Sequence, residues 1–305
     1  MNSLVIGYGS IGSRHANILR ELNCSVSVVT KRKLTEMPHK CYASVEDAFL
    51  DDNYDYVIIA NNTSDHYPTV LSLIESNFSG VLLIEKPIFS NYAEIPKNSF
   101  EQVFVAYNLR FHPIIQYIYN LTREEKIYSI QVYVGQYLPI WRPNRDYRTL
   151  YSAFKEKGGG VIRDLSHELD YLLWILGGWK QVTGIGGKFG DLEIDTDDVF
   201  CLLMETEKCP AVILQMNYLD QIGQRSIIIN LKSKTIKADL VKSIIEVNNV
   251  KEEYQLERNY TYRELHKSII GGNYQYPCTY EQGLKVLSLI ENVEEASGKG
   301  IWKES

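Results

Sequence analysis

No apolar run in this 305-residue chain approaches the roughly 20 residues a helix needs to cross a bilayer, so no membrane span is expected. The opening segment, MNSLVIGYGSIG, carries no positive leader, and its apolar run stops at a glycine turn. That is not the make-up of a secretory signal. Basic excess is missing too. The chain has 32 Lys and Arg against 38 Asp and Glu, a net charge of −6, whereas a nucleic-acid surface needs clustered cations. Cysteine is scarce and unpatterned. Cys24, Cys41, Cys201, Cys209 and Cys278 are odd in number and show no CxxC spacing. This argues against a disulfide framework or zinc site, and for buried structural thiols in a reducing cytoplasm. His15, His39, His66, His112, His167 and His266 form no ligand pair at helical spacing, so no metal is expected.

What is present is enough apolar material, 45% of the residues, for two packed domains. Tyrosine is abundant, with 22 against 9 phenylalanines. A ring with a hydroxyl suits a polar ligand cleft or a sheet-mediated subunit contact, although compositional drift explains the count as well.

The first 110 or so residues alternate strand and helix, the signature of a doubly wound parallel sheet. Leu4-Val5-Ile6 is a short buried strand, followed by a glycine turn and a helix to Leu22. Val26 to Val29, Tyr56 to Ala60, Val81 to Ile84 and Val103 to Tyr107 are further strands. Ser44 to Phe49 reads as a capped short helix and Tyr67 to Glu75 as a longer one. After Pro113 the texture changes. Ile127 to Tyr137, Val199 to Met204, Ala211 to Tyr218, Ser226 to Leu231 and Thr235 to Asp239 alternate as half-buried antiparallel strands do. One helix, Val161 to Leu176, interrupts them. A closing amphipathic segment, Tyr280 to Ala296, presents Leu284, Leu287, Ile290 and Val293 on one face. The expected organisation is a Rossmann domain over 1–111, an open antiparallel-sheet domain over 112–279, and a helix over 280–305 that packs back on the first domain.

Gly7-Tyr8-Gly9-Ser10-Ile11-Gly12 follows the first strand and opens the first helix. In a dinucleotide-binding turn the first glycine makes the bend, the second admits the pyrophosphate, and the third lets helix and strand pack closely. The helix N-terminus then offers free N–H groups and a positive dipole end. At the end of the second strand a carboxylate would hold the ribose 2′-hydroxyl of NAD. This chain has Thr30-Lys31-Arg32 there instead, two cations in reach of a 2′-phosphate. The preferred cofactor is therefore NADP, with NAD as the alternative if Lys31 and Arg32 are merely solvated.

Two further segments follow in order: Glu85-Lys86-Pro87 at a strand end, and Gly158-Gly159-Gly160-Val161-Ile162-Arg163-Asp164-Leu165-Ser166-His167-Glu168-Leu169-Asp170. With the glycine turn they resemble the glucose-fructose oxidoreductase / inositol dehydrogenase / MocA family. The resemblance spans nearly the whole chain. It includes Asn61-Asn62-Thr63 with His66, which looks like that family's loop beside the cofactor, and the closing Ser297-Gly298-Lys299. It implies a Rossmann domain, an open antiparallel-sheet domain and a substrate cleft between them. It also implies oxidation or reduction of a sugar, cyclitol or related polyol carbon, in a homodimer or homotetramer joined through the sheets. Asp164 and His167 stand three apart, closer than the family's usual spacing. On a continuous helix they would still share a face.

The chemistry suits the residue types. Hydride removal from a carbinol carbon needs a base for the hydroxyl proton and a cation for alkoxide character. Lys86 can supply the cation, His167 the acid/base, and Asp164 can orient the imidazole or hold a substrate hydroxyl. Taken singly, a helix histidine, a lysine before proline and a capping aspartate are ordinary structural residues; their family order makes the case for catalysis. Arginines cluster on the substrate side, in Asn108-Leu109-Arg110 and in Trp141-Arg142-Pro143-Asn144-Arg145-Asp146-Tyr147-Arg148. Paired guanidiniums grip carboxylate and phosphate oxygens. An anionic sugar follows (phosphorylated, nucleotide-linked or acidic, as in bacterial surface-sugar synthesis), unless these arginines pair with the chain's own carboxylates. Two rival functions share the fold: a cofactor-binding sensor without turnover, and a glycosidase or lyase that uses transient oxidation on a recycled cofactor.

Overall fold

A computed structural model describes residues 1–32, 38–123, 125–142 and 145–305. Pro143 and Asn144 of the arginine-rich segment lie outside the described residues. The chain begins with β1 (Asn2–Ile6), α1 (Ser10–Glu21), β2 (Ser25–Val29), β3 (Lys40–Tyr42), α2 (Val45–Asp51), β4 (Tyr56–Ile59), α3 (Thr63–Glu75), β5 (Val81–Ile84) and β6 (Gln102–Val105). It continues with α4 (Pro113–Leu121), β7 (Ile127–Gly135), α5 (Val161–Asp164), α6 (His167–Leu176), β8 (Gln181–Gly187), β9 (Val199–Glu205), β10 (Val212–Asn217), β11 (Gln224–Leu231), β12 (Thr235–Asp239), β13 (Ile244–Val247) and β14 (Val250–Glu253). It closes with α7 (Tyr260–Ile270), β15 (Cys278–Thr279), α8 (Tyr280–Lys299) and β16 (Lys303–Glu304).

Two compact units result: residues 1–111 with 259–284, and residues 112–258 with 285–305. The first is a seven-stranded sheet in the order β3-β2-β1-β4-β5-β6-β15. All its pairs are parallel except β15 with β6. Strand order reverses at β1 and β4, the place where open α/β sheets take their ligands. Val5, Val28, Ile58 and Leu83 from the strands form one core with Ala16 and Leu19 of α1. Their β-branched run without alternation reflects burial on both faces. Ser44 caps α2, its hydroxyl accepting the Asp47 N–H at 3.1 Å.

The second unit is a nine-stranded sheet, β14-β13-β12-β11-β7-β10-β9-β8-β16. It is antiparallel apart from the β7–β10 pair. The doubly wound parallel sheet and the mostly antiparallel second sheet are as the sequence pattern indicates.

Two expectations need revision. The chain returns to the first unit at Asn259, before the closing helix, because α7 is itself amphipathic and buries Leu265 and Ile269 in the Rossmann core. Conversely, residues 285–305 belong with the second unit. There Val293 approaches Gly184 of β8, the Ser297 hydroxyl accepts the Gly186 N–H at 2.9 Å, and β16 pairs with β8. The helix read as continuous from Val161 to Leu176 is also broken. Leu165 and Ser166 separate α5 from α6, so Asp164 ends one helix and His167 begins the next.

Candidate functional site

In the Rossmann unit the three glycines have three distinct surroundings. Gly7 sits at φ +93, and a Cβ on it would lie 2.5 Å from the Asn61 amide nitrogen. This brings the turn after β1 against the loop after β4. A Cβ on Gly12 would lie 1.8 Å from the Gly7 carbonyl oxygen, so the third glycine permits the α1–β1 contact. Around Gly9 a Cβ would meet nothing within 4 Å. The open position is also the N-cap of α1. That helix has no side-chain cap and no acidic residue in its first turn. Its first N–H groups, at Ser10, Ile11 and Gly12, precede the first intrahelical bond, Ser13 N–H to the Gly9 carbonyl at 2.9 Å. Bare donors and an open backbone are what a pyrophosphate needs.

Around this turn, Lys31 and Arg32 are exposed beyond β2. Arg32 donates to the Tyr8 carbonyl at 3.3 Å, and its backbone N–H donates to the Thr30 hydroxyl at 3.2 Å. Asn61 donates to Thr69 at 2.8 Å, while its Oδ1, though buried, has no hydrogen-bond partner among the described residues. Asn62 caps α3 by position and donates to Asp65 at 3.3 Å, and Thr63 begins that helix buried.

The Glu85-Lys86-Pro87 segment ends β5, with Lys86 half-buried and the Lys86–Pro87 bond cis. Glu85 and His66, both expected to face the cofactor, are turned inward. Glu85 is 7% exposed; its carboxylate accepts from His15 at 2.8 Å and from the Lys86 backbone N–H at 3.2 Å. His66 is 1% exposed, and its Nδ1–H donates to the Pro87 and Ile88 carbonyls at 3.2 and 3.0 Å. Burial pushes the His66 imidazole below its ordinary pKa, which keeps it neutral. Both residues hold the lysine loop from below. Asn108 and Arg110, expected on the substrate side, are also buried within this unit. Asn108 donates to Thr261 at 2.6 Å and Arg110 to Gln282 at 2.6 Å. They fasten the last parallel strand to the returning segment.

In the second unit, the glycine run before α5 is explained by contact. A Cβ on Gly159 would lie 2.4 Å from the Tyr151 carbonyl oxygen, and one on Gly160, at φ +120, would lie 2.3 Å from Asp197 Oδ1. Asp197 then accepts the Ile162 N–H at 3.1 Å, and burial raises its pKa to about 6. Asp164, 4% exposed, accepts from the Tyr218 hydroxyl at 2.6 Å. The Tyr218 phenol is pushed far up, first by burial and then by the Asp164 charge, so it remains a donor. The Tyr151 phenol is raised by the same two causes. Trp141 stands edge-on to Tyr218 with centroids 5.2 Å apart. His167, the first residue of α6, is half-buried, and its neighbour Glu168 is fully buried against Arg225 at 2.8 Å. Asp197, Tyr151, Tyr218 and Arg225 are the parts sequence reasoning missed. The partners of Asp197, Tyr218 and Arg225 lie far along the chain, and only the surplus of tyrosine hinted at any of the four.

The arginine-rich segment divides. Arg148 is neutralised by Asp146 at 2.8 Å and Glu193 at 3.1 Å. The Tyr147 hydroxyl accepts the Glu193 N–H at 3.2 Å. Arg142 lies over the Tyr151 ring, 5.8 Å from its centroid, and Arg145 is exposed.

Residues 1–99 match the Gfo/Idh/MocA profile described as "Oxidoreductase family, NAD-binding Rossmann fold", and residues 125–237 match the C-terminal domain of the same family. The chain belongs to the Gfo/Idh/MocA oxidoreductase family. It is an oxidoreductase whose Rossmann unit binds NAD, and Gly9 at the bare start of α1 fits that cofactor's pyrophosphate. Among solved structures, GenD2 from gentamicin A biosynthesis in complex with NAD is 19% identical, with a TM-score of 0.82 over 100% of this chain and 96% of that one. The WlbA dehydrogenase from Bordetella pertussis, in complex with NADH and UDP-GlcNAcA, is 15% identical, with a TM-score of 0.80 over 100% and 98%. Levoglucosan dehydrogenase in complex with NADH and L-sorbose is 13% identical, with a TM-score of 0.85 over 100% and 98%. These likenesses concern the fold. No curated protein matches the chain by sequence. Among the described residues, no helix is long and apolar enough to cross a membrane.

Proposed function

We propose that this member of the Gfo/Idh/MocA family moves a hydride between a nicotinamide and a carbinol or carbonyl carbon of a sugar-like substrate, with Lys86 and His167 as its catalytic residues. The observation that carries this reading is the open Gly9 position at an uncapped helix start, in the same parallel sheet whose β5 delivers Lys86. The bound nicotinamide supplies or accepts the hydride. The ammonium of Lys86 holds the substrate oxygen and favours its alkoxide character. The imidazole of His167 takes the hydroxyl proton in oxidation and returns it in reduction. Asp164, held by Tyr218, fixes the segment that presents His167 and accepts a substrate hydroxyl.

The substrate is anionic in this reading, and the support is Arg142 and Arg145. Arg148 and Arg110 no longer contribute, since their guanidiniums are engaged within the protein. A neighbour crystallised with a nucleotide-linked acidic sugar points the same way. NADP is preferred over NAD because Lys31 and Arg32 are exposed past β2. A homodimer or homotetramer joined through the large sheet is supported by Ile185, Leu203 and Ile213, exposed on neighbouring strands β8, β9 and β10.

The test is nicotinamide absorbance with a panel of neutral sugars, sugar phosphates, nucleotide sugars and sugar acids. Turnover is expected with an acidic or phosphorylated member, and Lys86→Met and His167→Asn should each lower kcat by on the order of a hundred- to ten-thousand-fold. Tight dinucleotide binding with no absorbance change across the panel would reject the dehydrogenase reading.

A further inference from the structure

Four buried polar side chains of the Rossmann unit stand in single file. The Tyr56 hydroxyl lies 3.0 Å from His266 Nδ1, His266 Nε2 lies 2.8 Å from His15 Nδ1, and His15 Nε2 lies 2.8 Å from Glu85 Oε1. Tyr56, His15 and His266 are each 0% exposed. They come from four elements: Tyr56 from the start of β4, His266 from α7, His15 from α1 and Glu85 from the end of β5. None of the three belongs to the glycine turn or to the lysine and histidine assigned above.

The protons in this file have one consistent arrangement. Burial holds the Tyr56 phenol well above its ordinary pKa, so it is a neutral O–H. Burial, with the neighbouring His15, holds His266 well below its ordinary value, so it carries one proton. Among the described residues the Tyr56 hydroxyl has no partner but His266 Nδ1, so it donates there. The His266 proton is then on Nε2 and is donated to His15 Nδ1. The His15 proton is in turn on Nε2 and is donated to the Glu85 carboxylate. The other Glu85 oxygen accepts the backbone N–H of Lys86 at 3.2 Å. Donors aligned head to tail polarise one another, and a buried carboxylate needs such donors.

We propose that Tyr56, His266 and His15 form a one-directional hydrogen-bond relay that positions Glu85, and through it the backbone of Lys86, for the reaction. They are positioning residues, and their effect on turnover rests on the assignment of Lys86 made above. The relay ties the phosphate-binding helix α1 to the strand that ends in the lysine. His66 clasps the following carbonyls at Pro87 and Ile88, so the segment is held from two sides. Replacing buried charged and polar groups by apolar side chains of the same volume is often neutral or stabilising, so stability alone gives no reason for four such groups; aiming the lysine does.

The experiment has two arms. In the first, histidine tautomers are read by nitrogen-15 NMR on the intact, dinucleotide-loaded protein. His15 and His266 are expected as Nε2–H tautomers at neutral pH, with the His15 signal shifted in Tyr56→Phe. Nδ1–H tautomers, or a doubly protonated His266, would overturn the relay whatever Lys86 does. The second arm is kinetic. His266→Leu removes both the acceptor and the donor, whereas His266→Gln keeps one of each on a planar amide. The leucine variant should lose on the order of ten- to a hundred-fold in kcat with KM and dinucleotide affinity nearly unchanged, and the glutamine variant should recover most of it. Equal kcat in the two variants would overturn the positioning role. Wild-type activity in Lys86→Met would instead remove the lysine assignment while leaving the tautomer result standing.

Discussion

Replacing Gly9 by alanine separates binding from folding in a way that alanine at Gly7 or Gly12 would not. The backbone at Gly9, φ −85 and ψ −163, is extended and open to any residue. The added methyl has no protein atom within 4 Å. Alanine is a poorer N-cap than glycine by about 1 kcal/mol, and it stiffens the unfolded chain by about 0.4–1 kcal/mol. The two nearly cancel, so Gly9→Ala should melt within a few degrees of the parent. Dinucleotide binding should behave otherwise. With the pyrophosphate placed at this turn, the methyl would occupy the space a phosphate oxygen needs to reach the N–H groups at the start of α1. Losing two charge-assisted hydrogen bonds at roughly 1.5–3 kcal/mol each weakens binding by roughly a hundred- to ten-thousand-fold.

Gly12→Ala is the internal control. Its methyl would sit 1.8 Å from the Gly7 carbonyl oxygen, which no rotamer relieves, so α1 must move off β1. The cost falls on folding, about 1–3 kcal/mol for overpacking at a backbone contact, and the melting temperature drops. Thermal melts paired with titration of NADH and NADPH by protein fluorescence read both quantities. A Gly9→Ala protein that binds either nucleotide like the parent would refute the placement of the pyrophosphate at this turn, and with it the reading of the Rossmann unit's ligand face.

Charge at the end of β2 and an imidazole at the start of α4 give two further tests. Lys31→Ala with Arg32→Ala should weaken NADPH binding about ten-fold or more while leaving NADH within about three-fold; equal losses for both nucleotides in the titration would remove the case for NADP. His112 caps α4 by accepting the Ile114 N–H at 3.2 Å, and burial, helped by Arg225, lowers its pKa from 6.5 to about 4. Between those values the unfolded chain binds a proton that the native one refuses. Stability present above pH 6.5 is therefore lost as pH falls, by up to about 3 kcal/mol near pH 4. His112→Asn replaces the Nδ1 acceptor of the cap by an amide oxygen and should flatten that part of the slope in urea titrations from pH 7 to 4.5; an unchanged slope would contradict the buried neutral imidazole.

The Rossmann unit was legible because its signals are local. Strand, glycine turn and helix are adjacent in sequence, and doubly buried strands write themselves as unbroken Val-Ile-Leu runs. Later elements were harder. β8, Gln181–Gly187, carries three glycines and shows no alternation. Yet glycine is what it needs, since Cβ atoms at Gly184 and Gly186 would press on Phe200 at 3.0 and 2.1 Å. Helix α7 gives a weak sequence signal because its tyrosines and His266 mask its apolar face; that face is complete only where Leu265 and Ile269 meet the strands of the first unit.

The candidate site divides along the same line. Glycines 7, 9 and 12, Lys86 and His167 are single residues whose type carries chemistry, so a motif can find them. Glu85, His66, Asn108, Arg110 and Arg148 are polar residues whose meaning depends on a partner, and position along the chain does not reveal the partner. In sequence an arginine-rich segment counts as positive charge; in the fold Arg148 faces Asp146 and Glu193 and carries little net field. The same logic runs in reverse for His15 and His266. They stand 251 residues apart and make no motif. A buried donor must find an acceptor, and the pairing of these two histidines behind the lysine strand meets that requirement. A cation or imidazole can thus be assigned to a ligand only after its protein partners have been accounted for, and by that standard Lys31 and Arg145 come first for substitution and titration, followed by Arg32 and Arg142, which meet a carbonyl and a ring and no carboxylate among the described residues.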